Sequence, residues 1–190
     1  FIHAKRPDLA FDYVYTPENL RLGEAVRCFF EPGRIVIGAE NEEAFRKIEE
    51  IFSGLHAEFM KMSPPSAEMA KHALNAFLAT SVSFINDIAD ICEQVGADAR
   101  EVERGLKTES RIGPRAYLGP GAAFAGGTLA RDIAFLRETG AQCDQPMHIM
   151  AAVQKSNRLH KGWSLMRLAS VLGKLRGLTV AVWGLTYKAG

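Results

Sequence analysis

The chain has 190 residues, 47% hydrophobic and 24% charged, the balance of a globular protein and not of a disordered or collagen-like one. Its 23 Lys and Arg against 22 Asp and Glu leave a net charge of +1, so no global field draws it onto nucleic acid or an acidic membrane surface. No apolar run reaches the roughly 18 residues a bilayer span needs, and Phe1-Ile2-His3-Ala4-Lys5-Arg6 has no signal-peptide h-region, so the expectation is a cytoplasmic protein with neither membrane nor nucleic-acid partners.

The chain opens without Met and ends just after an apolar run, and so reads as part of something longer. From Phe11 to Met62 the pattern is α/β. Phe11-Asp12-Tyr13-Val14-Tyr15 and Arg34-Ile35-Val36-Ile37 read as short strands bounded by Pro17 and by Pro32-Gly33, and Ala57 to Met62 as a third. Between Asn41 and Phe52, Ala44, Phe45, Ile48, Ile51 and Phe52 fall on one helical face, with Asn41 as N-cap and Glu42 and Glu43 in the first turn.

Pro64-Pro65-Ser66 ends the third strand and starts the longest helical pattern, Ser66 to Val95, closed by Gly96. Ala70, Leu74, Phe77, Leu78, Ser81, Ile85, Ile88 and Cys92 recur at three- and four-residue steps. Ala73, Ala76, Val82, Phe84 and Ile91 lie off that stripe and are also apolar or small, so this helix, about 45 Å long, is to be buried on several sides. A second subunit or the later helices would cover it, and a homodimer through 66–95 is the favoured partner.

A shorter helix is expected from Ala99 to Leu106, a Gly/Ala-rich loop from Gly113 to Gly127, a helix from about Ala130 to Glu138, and a long one from Pro146 to about Leu172. Thr179-Val180-Ala181-Val182-Trp183-Gly184-Leu185 reads as a buried strand with a glycine turn, the opening of a further parallel-sheet domain. The fold class is mainly α with an α/β N-terminal portion. Cys28, Cys92 and Cys143, odd in number and without CxxC or Cys/His spacing, are expected as free thiols, with no metal site.

Taken alone, few residues announce chemistry. Gly119-Pro120-Gly121-Ala122-Ala123-Phe124 begins like a dinucleotide fingerprint but puts Phe where the third Gly belongs and follows no strand, so it is not a Rossmann turn. Lys71 and Asn75, four apart on a helix, point the same way; they suit joint binding of an anionic oxygen or a plain solvated stripe. Asp132 near a helix start and Glu18 after Pro17 are individually unremarkable. His72, His148 and His160 lack a spaced carboxylate or second histidine and read as ordinary surface or helix residues.

Together, several segments resemble the UDP-glucose/GDP-mannose dehydrogenase family. Thr16-Pro17-Glu18-Asn19-Leu20-Arg21-Leu22-Gly23 is similar to its N-P-E-F-L-R-E-G, and Ser66 to Ala79 to its A-E-x-x-K-x-x-x-N-A-F-L helix. Ser83-Phe84-Ile85-Asn86-Asp87-Ile88-Ala89 resembles S-F-I-N-E-I-A, Arg111-Ile112-Gly113 resembles R-I-G, and Gly184-Leu185-Thr186-Tyr187-Lys188 resembles G-L-A-F-K. The resemblance implies a remnant of a dinucleotide-binding domain at 1–62, a long-helix dimerisation domain at 63–172, and at 173–190 the first strand of a third α/β domain that binds the nucleotide sugar. It implies oxidation of a sugar C6 alcohol to a carboxylate in two hydride transfers to NAD, through an aldehyde captured on a cysteine. Glu18 then matches a glutamate that assists thioester hydrolysis, Lys71 and Asn75 a pair that stabilises the reacting oxygen, and Asp132 an aspartate that activates a water or alcohol. Arg111 matches an arginine that reaches the partner subunit's site. Tyr117, Leu118, Gly121 and Phe124 match the loop over the nucleotide sugar, and Lys188 the start of the third domain.

One departure is decisive. The family's F-L-x-P-G-x-G-F-G-G-S-C-F-P-K-D aligns without a gap on Tyr117 to Asp132, and Thr128 stands at the cysteine position. A thiol is brought to thiolate by a nearby cation, whereas a threonine hydroxyl is a far weaker acid that needs a strong dedicated base. Leu22 further replaces a frequent second glutamate. The expected activity of the parent protein is therefore a single two-electron oxidation, with Lys71, Asn75 and Asp132 at the reacting oxygen and Glu18 positioning water or substrate. The fragment by itself is expected to be inactive. The competing reading is a non-catalytic relative that binds sugar nucleotide or dimerises. A third, the helical domain of hydroxyacid or 6-phosphogluconate dehydrogenases, accounts for the helices but not for the R-I-G and G-L-x-x-K matches.

Overall fold

In the computed structural model, which describes residues 2–18, 20 and 23–184, the chain begins with two short helices, α1 (Ile2–Lys5) and α2 (Ala25–Phe30). It continues through β1 (Arg34–Gly38), α3 (Glu42–Ile51), β2 (Glu58–Met62), α4 (Pro64–Val95), α5 (Ala99–Thr108), α6 (Thr128–Gln142), α7 (His148–His160) and α8 (Trp163–Leu172). The fold is mostly helical with one small parallel sheet. By its internal contacts the chain divides into two compact units, one of residues up to Lys71 and one of His72–Ala181. No helix among the described residues is long and apolar enough to cross a membrane.

In the first unit, β1 and β2 pair in parallel from Arg34 opposite Glu58 to Gly38 opposite Met62, joined through α3. Asn41 caps α3 as its sequence predicts, its side-chain oxygen accepting from Ala44 N at 2.8 Å. That sets Ala44 and Phe45 against Ile37 and Ala39, with Val14, Ile35, Ile48 and Phe59 packed around them. Gly38 is required at the end of β1, because a Cβ there would lie 2.6 Å from Ala67 Cβ and 2.9 Å from Pro64 Cα, where the start of α4 passes over the strand. The strand expected at Phe11 to Tyr15 does not form. Only Tyr15 pairs, in an isolated antiparallel bridge to Gly38, and since Gly38 is the last residue of β1 the ladder has nothing to extend along.

In the second unit, Ala76 and Ala79 of α4 meet Ile133 and Leu136 of α6 and Val153 of α7, with Phe124, Leu129, Met147 and Met150 filling in. The helix α4 starts two residues earlier than expected, the prolines occupying its first turn where a missing N–H costs nothing, and it stops at Val95 before Gly96 in left-handed conformation (φ 76°). Its Phe77, Phe84 and Ile91 are not covered by the later helices of the same chain: they remain 68%, 48% and 61% exposed. The helix α6 is longer than expected at both ends, so Thr128 belongs to its first turn and not to the preceding loop.

Two further expectations are corrected. The single helix from Pro146 to Leu172 is two, α7 and α8, separated at Lys161-Gly162. Gly162 has poor helix propensity, and the ends on either side are anchored: His160 is buried, while Trp163 Nε1 donates to Glu93 Oε1 at 3.2 Å. The strand at Thr179 to Leu185 is absent over the described part, 179–184, because a strand's N–H and C=O groups need a neighbouring strand and the described residues supply none there. Leu22 and the segment 185–190, including Lys188, lie outside the described residues.

Candidate active site

Asp132 is the centre of the site in the second unit. It sits one turn into α6 after Thr128 and is only 3% exposed, an ionisable group in a position that demands partners. Asn75 of α4, also buried, donates its side-chain N–H to Asp132 Oδ2. The second oxygen, Oδ1, faces His72 Nδ1 at 3.3 Å and Arg131 Nε at 3.7 Å. The His72 contact is close without being an aligned hydrogen bond, for Nδ1 is buried with no hydrogen-bond partner. The imidazole stacks on Phe135, with ring centroids 4.0 Å apart and planes inclined by 25°. Asn75 and Asp132 are thus brought together as expected, and His72, read from sequence as an ordinary helix residue, is corrected to a neighbour of the buried carboxylate.

Above α6 the Gly/Ala-rich loop is held by three buried polar side chains that the sequence reading did not select. Asn86 Oδ1 accepts from Gly121 N at 3.0 Å, while Asn157 Oδ1 accepts from Phe124 N at 2.8 Å and its Nδ2 donates to Phe124 O at 3.0 Å. His160 Nε2 donates to Gly121 O at 2.8 Å, with Nδ1 3.2 Å from Asp90 Oδ2. His160 is therefore also corrected, from an ordinary helix residue to a clamp on this loop. Leu118 is buried, Phe124 packs on the helical core and Tyr117 stays exposed. The loop accordingly has fixed backbone and one free aromatic ring. Asn157→Ala leaves both polar groups of Phe124 unpaired and is expected to destabilise the protein by about 2–4 kcal/mol, read as a lower midpoint in urea unfolding.

Thr128 is exposed at the first helical position of α6, where backbone N–H groups lack intrahelical acceptors and Gly127 supplies no side-chain cap. No sulfur stands in for the missing thiol in this unit. Cys92 is 17 residues along α4 from Asn75, about 25 Å at the helical rise, and Cys143 caps the far end of α6, about 22 Å from Thr128. All three cysteines are free, Cys28 lying on α2. Arg111 is exposed and bound to Glu109, Nε to Oε1 at 3.0 Å; that hydrogen bond, with a second from Arg111 N, holds the Glu109 carboxyl below its usual range.

In the first unit, Lys71 Nζ donates to the backbone oxygen of Glu18, and Glu18 Oε2 accepts from Leu20 N at 2.7 Å. The lysine thereby fixes the segment that carries the glutamate. Among the described residues no cluster of three or more His, Cys, Asp or Glu is placed to hold a metal. Nor do they build a cradle for a dinucleotide pyrophosphate: β1 passes to α3 through Ala39-Glu40-Asn41, without a glycine-rich turn, and Gly119 to Phe124 lies between two helices.

The pattern of the UDP-glucose/GDP-mannose dehydrogenase family, central domain, matches residues 65–159. The chain is 40% identical over 185 residues to UDP-glucose 6-dehydrogenase TuaD of Bacillus subtilis (strain 168), covering 97% of this chain and 40% of that protein. It is 36% identical over 192 residues to UDP-glucose 6-dehydrogenase of Rickettsia typhi, covering 99% and 44%. Its structure superposes on that of a UDP-glucose dehydrogenase from the hyperthermophilic archaeon Pyrobaculum islandicum with a TM-score of 0.86 at 32% identity, covering 93% of this chain and 40% of the other. The chain thus spans less than half the length of the curated relatives it matches. The dehydrogenases of this family use NAD. With five ordered sequence matches, the buried Asn75–Asp132 pair between α4 and α6 and the family pattern over half its length, the chain belongs to the UDP-glucose/GDP-mannose dehydrogenase family.

Proposed function

We propose that the intact protein is an NAD-dependent nucleotide-sugar oxidoreductase of the cytoplasm that carries out one two-electron oxidation of a sugar alcohol and releases a carbonyl product. The observation that carries this reading is the start of α6: a threonine at its first position, one turn ahead of a buried aspartate hydrogen-bonded to Asn75. Asp132 takes the proton of the reacting hydroxyl. Lys71 and Asn75, four residues apart in sequence, stabilise the oxygen as it gains negative charge, and Glu18 positions water or substrate. Tyr117, Leu118, Gly121, Phe124 and Lys188 contribute to nucleotide-sugar binding, and Arg111 serves the site of a second copy. Residues 1–62 belong to the dinucleotide domain, 63–172 to the helical domain and 173–190 to the start of the sugar-nucleotide domain, and the fragment alone turns nothing over. Without a thiol the carbonyl product is not held for a second oxidation.

The test is stoichiometry. The intact protein, given NAD and a panel of nucleotide sugars, should form one NADH per sugar consumed. Two equivalents with a uronic acid product would overturn the single-step reading, and binding of both ligands with no turnover would replace it by the non-catalytic one.

The same protein pairs with a second copy along α4. Phe77, Phe84 and Ile91 recur every seven residues on that helix and are exposed, a stripe of the kind a partner helix covers.

A further inference from the structure

The geometry around Asp132 points to His72 as a proton relay, and we propose that it carries to solvent the proton Asp132 takes from the substrate hydroxyl; this rests on the dehydrogenase reading above. A carboxylate 3% exposed has no route of its own by which to lose a proton to water, yet must return to the charged form in every turnover. Three polar side chains among the described residues stand beside it. Asn75 donates to Oδ2 through an amide, which neither gains nor loses a proton near neutral pH. Arg131, 3.7 Å from Oδ1, keeps its charge permanently. His72, whose Nδ1 stands 3.3 Å from the same oxygen, is the remaining one, and imidazole is the side chain that changes protonation near neutrality.

The rest of the geometry fits the task. His72 Nδ1 is buried and lacks a hydrogen-bond partner, so it is open to the proton that Oδ1 carries. The side chain nevertheless keeps 24% of its surface exposed, which gives the ring a buried end and a wet one. Stacking on Phe135 holds its plane. The near-contact needs only a small rotation to align, as catalytic hydrogen bonds in ligand-free sites commonly do. In the step, the Asp132 O–H bond breaks as an N–H bond forms at Nδ1. The ring's second nitrogen then gives its proton to water or a buffer base, and a half-turn of the ring about its Cβ–Cγ bond, which keeps the same plane, brings that unprotonated nitrogen to the Oδ1 side and the protonated one to the wet side for the next cycle. No electrons change hands.

The test uses the intact protein with NAD and the nucleotide sugar it oxidises. His72→Gln should lower kcat at least about tenfold while leaving KM and the melting temperature near those of the unsubstituted protein. Free imidazole added to the assay should restore the rate in proportion to its concentration, which no purely structural role of His72 would allow. His72→Ala empties the ring's place against Phe135 and should show the same loss and the same rescue, and it serves if His72→Gln does not fold. An undiminished kcat in either variant, or a loss that imidazole leaves untouched, overturns the relay while the dehydrogenase reading stands. Absence of NADH formation by the unsubstituted protein overturns both.

Discussion

Thr128→Cys in the intact protein is expected to raise the yield from one NADH per nucleotide sugar to two and to change the product from a carbonyl compound to a uronic acid. The side chain at position 128 leaves the first turn of α6, where the N–H groups of the helix are unsatisfied and the dipole presents its positive end. A free thiol has a pKa of about 8.5, and such a position lowers it toward the working range. A threonine hydroxyl in the same place gains too little to ionise. The added thiolate captures the aldehyde as a thiohemiacetal, loss of a second hydride to NAD gives the thioester, and water releases the acid. Being an exposed helix-start position, it should tolerate the exchange within about 0.5 kcal/mol. Counting NADH against sugar and identifying the product by mass spectrometry reads the result, and a yield that stays at one would move the block on the second oxidation elsewhere in the loop.

Phe77→Asp combined with Phe84→Asp is expected to convert a dimer to a monomer in sedimentation at micromolar concentration. The two rings lie seven residues apart on α4, 68% and 48% exposed, and each aromatic side chain carries roughly 150–250 Å² of surface. Losing the burial of one such ring costs about 1.5–3 kcal/mol, and a two-fold interface loses every substituted position twice. Even at the lower figure the pair of substitutions removes about 6 kcal/mol, roughly a 10⁴-fold weaker association. Two carboxylates per subunit would also have to be desolvated. The subunit itself should still fold, since its core is made by Ala76, Ala79, Ile133, Leu136 and Val153 on other faces. Sedimentation of the unsubstituted protein as a monomer would refute the interface outright.

Where the amino-acid pattern was local, it could be read. The Asn41 cap, the short strands on either side of it, the helical run that follows Pro64-Pro65 and the Gly96 stop follow from neighbours within one or two turns. The spacing of Lys71 and Asn75 is fixed by helical periodicity alone. Asn86 and Asn157 had a weaker signal that could have been used: Asn75, Ala79, Val82 and Asn86 fall on one face of α4, and an amide among small apolar residues on a buried face must have a partner. Which partner was illegible, because Asn86 meets Gly121 35 residues away and Asn157 meets Phe124 33 away.

The sequence by itself determined the family, the helices α3 to α6 in outline and the threonine at position 128, since each is written in residue type and short-range spacing. Tertiary structure alone decided that α7 and α8 are separate, that Phe11 to Tyr15 and 179–184 make no strand, and that His72 and His160 have work beyond their helices. In every one of these cases the deciding hydrogen bond or contact joins groups far apart in the chain, or is missing because the described residues offer no strand to pair with. Periodicity reports which face a side chain occupies, and only packing reports what lies opposite it.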